Sequence, residues 1–306
     1  MSDPSANALP SRRVFLHRSL ALGSAGLLIP SATPSWADEP KLIVRNRTPL
    51  DAETPAAVFE EEITPNRLFF VRSHFGPPAV GLVEPWTVAV EGGVARPLRL
   101  GLEDLSRFEQ VSIPAVLQCS GNGRSLYKPT IPGVGWGKGA VGNAGWSGVR
   151  LAEVLERAGI KPGMGHVHLH GADGPPMPKT PAYLRSIPLD RATAASTLLV
   201  TRMNGEPLPI LHGGPIRLAV PGWAGNHWIK WLRRLVVAPD EAPGPYQRTS
   251  YKMPTKPLPP GVEPRPEETA PVTVMNVKSL IATPADGAEL QAGPVVVVAG
   301  VAWTGG

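Results

Sequence analysis

The sequence is short of several features, and each shortage excludes a class of protein. Cys119 is the only cysteine in 306 residues, so the chain cannot form an intramolecular disulfide. A Cys-x-x-Cys-His motif is absent, which excludes a covalently attached c-type haem on this chain. Beyond the N-terminus, no apolar stretch reaches the length of a transmembrane helix. The chain also lacks the alternating strand and helix pattern that is typical of a doubly wound sheet.

The net charge is small as well. Lys and Arg together number 30 against 25 acidic residues, a formal charge of +5. Residues 1–37 contain Arg12, Arg13, Arg18 and Asp3, so the remainder has 27 basic and 24 acidic residues, a charge of +3. A mildly basic protein of this kind can attract an acidic partner, but it has no nucleic-acid footprint.

The N-terminus has the three regions of an export signal. "SRRVFLHRS" supplies a basic region with the twin pair Arg12 and Arg13, "LALGSAGLLIP" is an apolar core, and "SWA" ends at Ala37 as a small-x-small cleavage signal. The apolar core is too short to span a bilayer. The twin arginine followed by x-Phe-Leu predicts a Tat signal over residues 1–37 and a periplasmic protein exported in folded form. The alternative, a basic tail before a short core helix, does not account for "SWA".

The composition predicts an α+β fold that is rich in loops. Pro occurs 37 times and Gly 33 times, which disfavours long helices. Alternation predicts strands at 67–74, 86–100 (two strands around a Gly-Gly turn), 111–119, 165–171 and 227–239. Helical spacing predicts a short helix at 101–108 and a longer one in "SGVRLAEVLERAGI", starting near Ser147 or Gly148.

The domain boundaries follow from composition. Residues 38–252 are predicted to form one domain. Residues 253–272 contain seven prolines in twenty residues and are predicted to be an extended linker or surface wrap. Residues 273–306 alternate like strands of an Ig-like β-sandwich, which needs about 100 residues. We therefore expect 273–306 to be a truncated part of such a domain.

Cys119 lies in "QCSGNGRS", directly after a predicted strand. A lone cysteine is most often a small buried hydrophobe. Here Gly121 and Gly123 flank Asn122 and permit a tight turn that exposes the sulfur. Arg124 adds positive charge, which favours the thiolate. These residues leave a nucleophile or a metal ligand as the functional interpretations.

The segment "HVHLH" places His166, His168 and His170 on one face of a strand. Three imidazoles on one face can bind zinc or copper. No fourth ligand follows nearby, so a polar strand face is the favoured interpretation.

Six segments occur in an order that is specific to one family: "FFVRSHF", "QCSGNGRS", "GVGWGKGAVGNAGWSGVRLAEVL", "MNGEPLPILHGGPIRLAVPG", "IKWL" and "QRTSYK". In this order they resemble the sulfite oxidase family of molybdopterin-dependent oxidoreductases. The similarity covers roughly residues 55–306 and is greatest to bacterial periplasmic members without a haem domain. The resemblance implies a sulfite-oxidase-like molybdopterin-binding domain, followed by the start of an Ig-like dimerisation domain.

The resemblance also implies a role for individual residues. Cys119 becomes the protein thiolate on molybdenum, which agrees with the preference of transition metals for soft sulfur ligands. Arg72, Arg124, Trp136 and Tyr251 correspond to the substrate site. The molybdopterin (Mo-MPT) cofactor, which carries a phosphate, would be held by Phe70, Val71, Arg72, His74, Asp173, Ser186, His212, Arg217 and Lys230. A further arginine of the family falls just beyond the "AWTGG" that ends at Gly306.

The activity that the resemblance implies is oxidation of sulfite to sulfate by oxygen-atom transfer. Cations near the metal suit a small oxyanion substrate. The electrons would pass to an external c-type cytochrome, and a homodimer through the C-terminal domain is a further expected partner. Three alternatives stay open: a sulfane dehydrogenase subunit of a Sox-type complex, a methionine sulfoxide reductase, and a periplasmic binding module that needs neither metal nor Cys119.

Overall fold

The computed structural model describes residues 40–78, 85–175, 177–291, 293 and 295–306. The predicted export signal, residues 1–37, lies outside the described residues. In chain order the strands are β1 (Ile43–Arg47), β2 (Leu50–Glu53), β3 (Thr87–Gly92), β4 (Leu98–Gly101), β5 (Val111–Gln118), β6 (Val141–Arg150), β7 (His166–Gly171), β8 (Leu184–Pro188), β9 (Leu198–Met203), β10 (Glu206–Pro207), β11 (Arg217–Ala219), β12 (Leu232–Ala238), β13 (Lys252–Pro254), β14 (Thr269–Pro271), β15 (Lys278–Thr283) and β16 (Ala299–Trp303). The α-helices are α1 (Leu102–Ser106), α2 (Leu151–Ala158), α3 (Leu189–Ala192) and α4 (Pro245–Arg248).

Two five-stranded sheets form the framework. One has the order β10-β9-β6-β5, with β11 also paired to β9, and all its pairings are antiparallel. The other has the order β4-β3-β12-β7-β8, in which β12 runs parallel to β3 and antiparallel to β7. One continuous cluster of buried side chains contains residues of both sheets, among them Trp146 on β6 and Leu235 on β12. The predicted α+β class is confirmed.

Most of the predicted elements are present near their predicted positions. Alternate burial along β3 and β7 gives the period of two from which those strands were predicted. The helix predicted from "SGVRLAEVLERAGI" begins later than expected, at Leu151. Ser147 and Gly148 instead belong to β6, where they pair with Arg202 and Val200 of β9.

The strand predicted at 67–74 is wrong. A short 3-10 turn covers Asn66–Leu68, and the extended chain after it makes only the isolated bridge between Val71 and Ala52. Phe69, Phe70 and Val71 are all buried. A segment that buries consecutive side chains has no solvent face, so it does not keep the period of a half-exposed strand.

The C-terminal part contains two small antiparallel pairs. Strands β13 and β14 pair inside and next to the Pro-rich segment 253–272, which is otherwise extended. Strands β15 and β16 form a hairpin. The Ig-like sandwich predicted for 273–306 stays a prediction. In the described ranges, no helix has both the length and the hydropathy required to cross a bilayer.

Candidate active site

A cavity lies beside the ends of β5 and β11. Its lining comes from four parts of the chain: the segment after the 3-10 turn at 66–68, the turn after β5, the loops on either side of β11, and residues near β8 and β13. Nine of the residues predicted from the sequence line it: Phe70, Arg72, His74, Cys119, Asp173, His212, Arg217, Lys230 and Tyr251.

Cys119 is delivered to this cavity by β5. Strand β5 ends at Gln118, and the Cys119 N–H donates to the Ala140 carbonyl at 2.9 Å. The Gly121 N–H lies 3.4 Å from the sulfur. Burial raises the pKa of the Cys119 thiol, while the Gly121 N–H and then the charges of Arg72 and Arg124 oppose that rise. Because a metal ion favours the deprotonated thiol further, this sulfur is suited to act as a ligand.

Arg124 packs against the turn that contains Cys119, although it does not line the cavity. Its Nη1 donates to the Val134 carbonyl at 3.3 Å. The guanidinium passes very close to Gly121 and Gly133. A Cβ on Gly121 would lie 2.9 Å from Arg124 Nη2, and a Cβ on Gly133 would lie 2.3 Å from Arg124 Nη1. Gly133 also has a φ of +117°, which side chains rarely adopt. Glycines at both positions therefore let the cation approach the sulfur.

Arg72 is fixed by an ion pair. Asp51, which is fully buried on β2, accepts from Arg72 Nη1 at 3.1 Å, and the Ser73 carbonyl accepts at 2.6 Å. Burial lowers the pKa of Arg72, but attraction to Asp51 and other anions outweighs this, so the net shift is upward. The guanidinium therefore stays charged and oriented within the cavity.

Tyr251 and His74 form a hydrogen-bonded pair in the same cavity. His74 Nε2 lies 2.5 Å from Tyr251 Oη, and Arg72 Nη2 lies 3.4 Å from His74 Nδ1. Burial and the charge of Arg72 lower the pKa of His74 to about 3, so the ring is neutral. A guanidinium can only donate, so Nδ1 accepts and Nε2 carries the proton. The Nε2–H then donates to Tyr251, whose own hydroxyl proton stays available to donate elsewhere.

Two further cations, Arg217 and Lys230, also line the cavity. Arg217, 3% exposed, donates to the His212 and Trp228 carbonyls, and its Nε has no partner. Lys230 donates to Ser73 Oγ at 2.6 Å and to the Leu211 carbonyl at 3.0 Å. In the described part of the chain, neither cation forms an ion pair with a carboxylate. Burial lowers the pKa of Arg217 to about 9.

Asp173 and His212 complete this polar wall. Burial raises the pKa of Asp173 to about 6, opposed by its own N–H and by Lys230. Burial lowers the pKa of His212 to about 4, and its Nε2 lies 2.9 Å from the Asn66 carbonyl. Because His212 is neutral and donates to a carbonyl, the positive charge in this part of the lining comes from Arg217 and Lys230.

The remaining residues predicted from the sequence lie outside the cavity lining. Val71 is buried and pairs its backbone with Ala52. Trp136 is 1% exposed, lies in the loop before β6, and packs beside Gly121. Ser186 lies on β8, where its Oγ accepts from the Ala242 N–H and its own N–H donates to Gln247 Oε1.

Sequence reasoning missed Asp51 and Tyr183. Tyr183 lines the cavity, stacks on His74 at 4.5 Å between ring centroids, and donates to the Asn226 carbonyl at 3.0 Å. No motif marks either residue, because each gains its role from a partner distant in sequence. Two of the three histidines of the His166, His168 and His170 face bind neighbouring groups instead: His168 contacts the Asp240 carbonyl and His170 contacts Arg234, whereas His166 Nδ1 is buried without a hydrogen-bond partner. No group of three or more metal-binding side chains occurs among the described residues.

The chain matches a family model and several relatives. The model described as "Oxidoreductase molybdopterin binding domain" matches residues 74–246, more than half of the chain. "Sulfite oxidase" of Gallus gallus is 38% identical over 299 residues, which cover 90% of this chain and 62% of that protein. The chain is a member of the sulfite oxidase family.

Two further relatives show how far this family likeness extends. "Sulfite oxidase, mitochondrial" of Homo sapiens is 38% identical over 89% of this chain and 51% of that protein. The crystal structure of the sulfane dehydrogenase SoxCD from Paracoccus pantotrophus matches with a TM-score of 0.73 and 28% identity, covering 93% of this chain and 71% of that one. The chain thus spans about half to three-fifths of the curated relatives' length.

As a sulfite oxidase family member the protein is an oxidoreductase, and its cofactor is molybdenum–molybdopterin. The cavity fits this cofactor. Arg217 Nε is a buried donor without a partner, and Lys230 is a half-buried ammonium without a carboxylate, so both suit a phosphate. The Cys119 thiol in the same cavity suits the metal.

Proposed function

We propose that this protein oxidises sulfite to sulfate by oxygen-atom transfer, with Cys119 as the protein ligand of molybdenum. One observation carries the proposal: a single cavity contains the lone thiol, the charged Arg72 held by Asp51, and the Tyr251 hydroxyl oriented by His74. The bound cofactor would supply the transferable oxygen and store two electrons.

The chain's own residues would then bind and orient the substrate. Sulfite is a small oxyanion, and Arg72 offers it a fixed cation because Asp51 holds one edge of the guanidinium. Tyr251 accepts from His74 and so keeps its own hydroxyl proton to donate. Arg217 and Lys230 would hold the pterin phosphate.

The test is a steady-state assay of the molybdenum-loaded protein with sulfite or thiosulfate and cytochrome c as acceptor. We expect sulfite-dependent reduction, and we expect Cys119→Ser to lose both bound molybdenum and activity. Ser279→Ala, a change of one exposed side chain, is the control. A Cys119→Ser protein with full molybdenum content and full activity would overturn the proposal.

A sulfane dehydrogenase activity is the second candidate. The structural match to SoxCD over 93% of this chain favours it. A protein-bound sulfane substrate would need an open approach to Cys119, whereas Arg72 and Tyr251 suit a small oxyanion. Turnover of thiosulfate or a persulfidated carrier protein without turnover of sulfite would favour this candidate over the first.

We also propose the partners and the location that the sequence predicts. The electron acceptor is a separate c-type cytochrome, and the C-terminal region mediates a homodimer. The twin arginine at Arg12 and Arg13 and the cleavage signal that ends at Ala37 support export in folded form to the periplasm. An oxidising periplasm suits a chain with one unpaired cysteine, since no wrong disulfide can form within it.

A further inference from the structure

The hairpin of β15 and β16 packs on the outer face of β5 and β6, behind the cavity. A small apolar cluster joins them: Leu280 and Ala282 of the hairpin are buried with Val141 of β6 and Phe59, while Val116 of β5 packs against the same cluster. This cluster is separate from the main core. The hairpin is therefore held against the strand that delivers Cys119.

Two side chains at one end of the hairpin reach the turn that contains Cys119. Trp303 Nε1 donates to Gln118 Oε1 at 2.5 Å. Lys278 Nζ donates to the Asn122 carbonyl at 3.1 Å. Lys278 and Trp303 are directly opposite each other in the β15–β16 register, so both contacts come from the same rung of the hairpin.

These contacts bracket the cysteine. Gln118 immediately precedes Cys119 and is buried, and the Asn122 N–H donates to the Cys119 carbonyl at 3.0 Å. Ala140 holds the turn from the opposite side, since its carbonyl accepts from Cys119 and its N–H donates to Asn122 Oδ1 at 3.1 Å. The turn is thus fixed by β6 on one side and by the hairpin on the other.

We infer that the β15–β16 hairpin is a positioning element for Cys119, in which Trp303 and Lys278 hold the turn so that the sulfur faces the cavity before any metal binds. Neither residue lines the main cavity, so both act through Gln118 and Asn122. The importance of this role for activity rests on the proposed function, in which Cys119 is the metal ligand.

The lone cysteine makes the inference testable without activity. In the full chain produced without cofactor, iodoacetamide can alkylate only Cys119, and intact mass follows the reaction at fixed pH. Trp303→Phe keeps an aromatic ring but removes the donor, and Lys278→Met removes the second donor. Each substitution should increase the alkylation rate about fivefold. Loss of one ordinary hydrogen bond should make local opening of the turn more frequent by about this factor.

Two matched controls separate positioning from general loosening. Trp86→Phe removes an equivalent indole donor, which binds the Leu232 carbonyl at 2.9 Å in the other sheet. Lys278→Arg keeps a cationic donor. Both should leave the alkylation rate within about twofold of wild type. In the loaded enzyme, Trp303→Phe should also change the Mo(V) electron paramagnetic resonance spectrum, which a purely structural role would not alter.

Unchanged alkylation in both Trp303→Phe and Lys278→Met would overturn the inference, as would an equal increase in Trp86→Phe. Lys278 is half-exposed, so Lys278→Met remains informative even if Trp303→Phe does not fold. Failure here is distinct from failure of the proposed function. The function fails if Cys119→Ser retains molybdenum and activity, whereas alkylation rates report the position of the turn whether or not the sulfur binds metal.

Discussion

Lys230 and Arg217 illustrate at the residue scale how the cavity prepares for an anion. Burial, followed by repulsion from Arg217, lowers the pKa of Lys230 to about 7, and attraction to Asp173 only partly opposes this. A folded chain that keeps a cation buried without a carboxylate is destabilised until an anion binds. The two side chains therefore gain most from a phosphate, the group that the cofactor supplies.

This predicts a pH dependence of stability in the cofactor-free chain. Between a folded pKa of about 7 and the ordinary value of 10.5, the unfolded chain keeps a proton that the folded chain has released, so stability rises with pH. Urea unfolding from about pH 7 to about pH 9 should show that Lys230→Met reduces this rise, by at most about 1.4 kcal/mol per pH unit. Lys161→Met, at an exposed position, should follow wild type. If the free energy of unfolding rises equally with pH in wild type and in Lys230→Met, the prediction is contradicted.

At the scale of elements, β2 organises the loop between Cys119 and β6. Glu53 at its end is 2% exposed and accepts from the N–H groups of Gly137 and Gly139 at 2.5 Å and 2.9 Å, and from Arg45. A Cβ on Gly139 would meet the Thr54 carbonyl at 2.1 Å. One carboxylate and one close backbone contact thus hold this loop to β2.

Removal of the Glu53 carboxylate should destabilise the folded protein substantially. Glu53→Ala leaves two backbone donors unsatisfied, and we expect the free energy of unfolding to fall by about 2 to 3 kcal/mol. Urea denaturation measures this. Glu103→Ala removes an exposed ion pair with Arg107 and should cost at most about 0.5 kcal/mol. Equal losses for the two variants would show that Glu53 does not hold the loop.

At the scale of the whole molecule, the proposed periplasmic location can be tested through the predicted export signal. The Tat route reads the twin arginine as an address, so a conservative change there should block export without altering the mature chain. Arg12→Lys combined with Arg13→Lys should leave the protein in the cytoplasm, as measured by fractionation and immunoblot. Arg18→Lys, in the same signal but outside the pair, should be exported normally. Periplasmic protein from the double variant would contradict a Tat signal.

The sequence predicted the α+β class, the strands β3, β4, β5, β7 and β12, and nine residues of the cavity lining. Strands such as β3 and β7 were predictable because alternate burial is local to the segment. Segment 67–74 was not, because its consecutive buried residues depend on what packs around them. Asp51 and Tyr183 were also out of reach, since their roles come from Arg72 and His74, each distant in the chain.

The position of β12 has a consequence for the order of assembly. This strand lies between β3 and β7 and pairs Leu235 with Val90 and with Leu169, so the centre of its sheet is filled by a strand that is far from β3 in the sequence. Long-range pairing of this kind forms late. Lys230 directly precedes β12 and becomes part of the cavity at the same step. The phosphate site for the pterin would therefore be complete only after β12 has paired with β3 and β7.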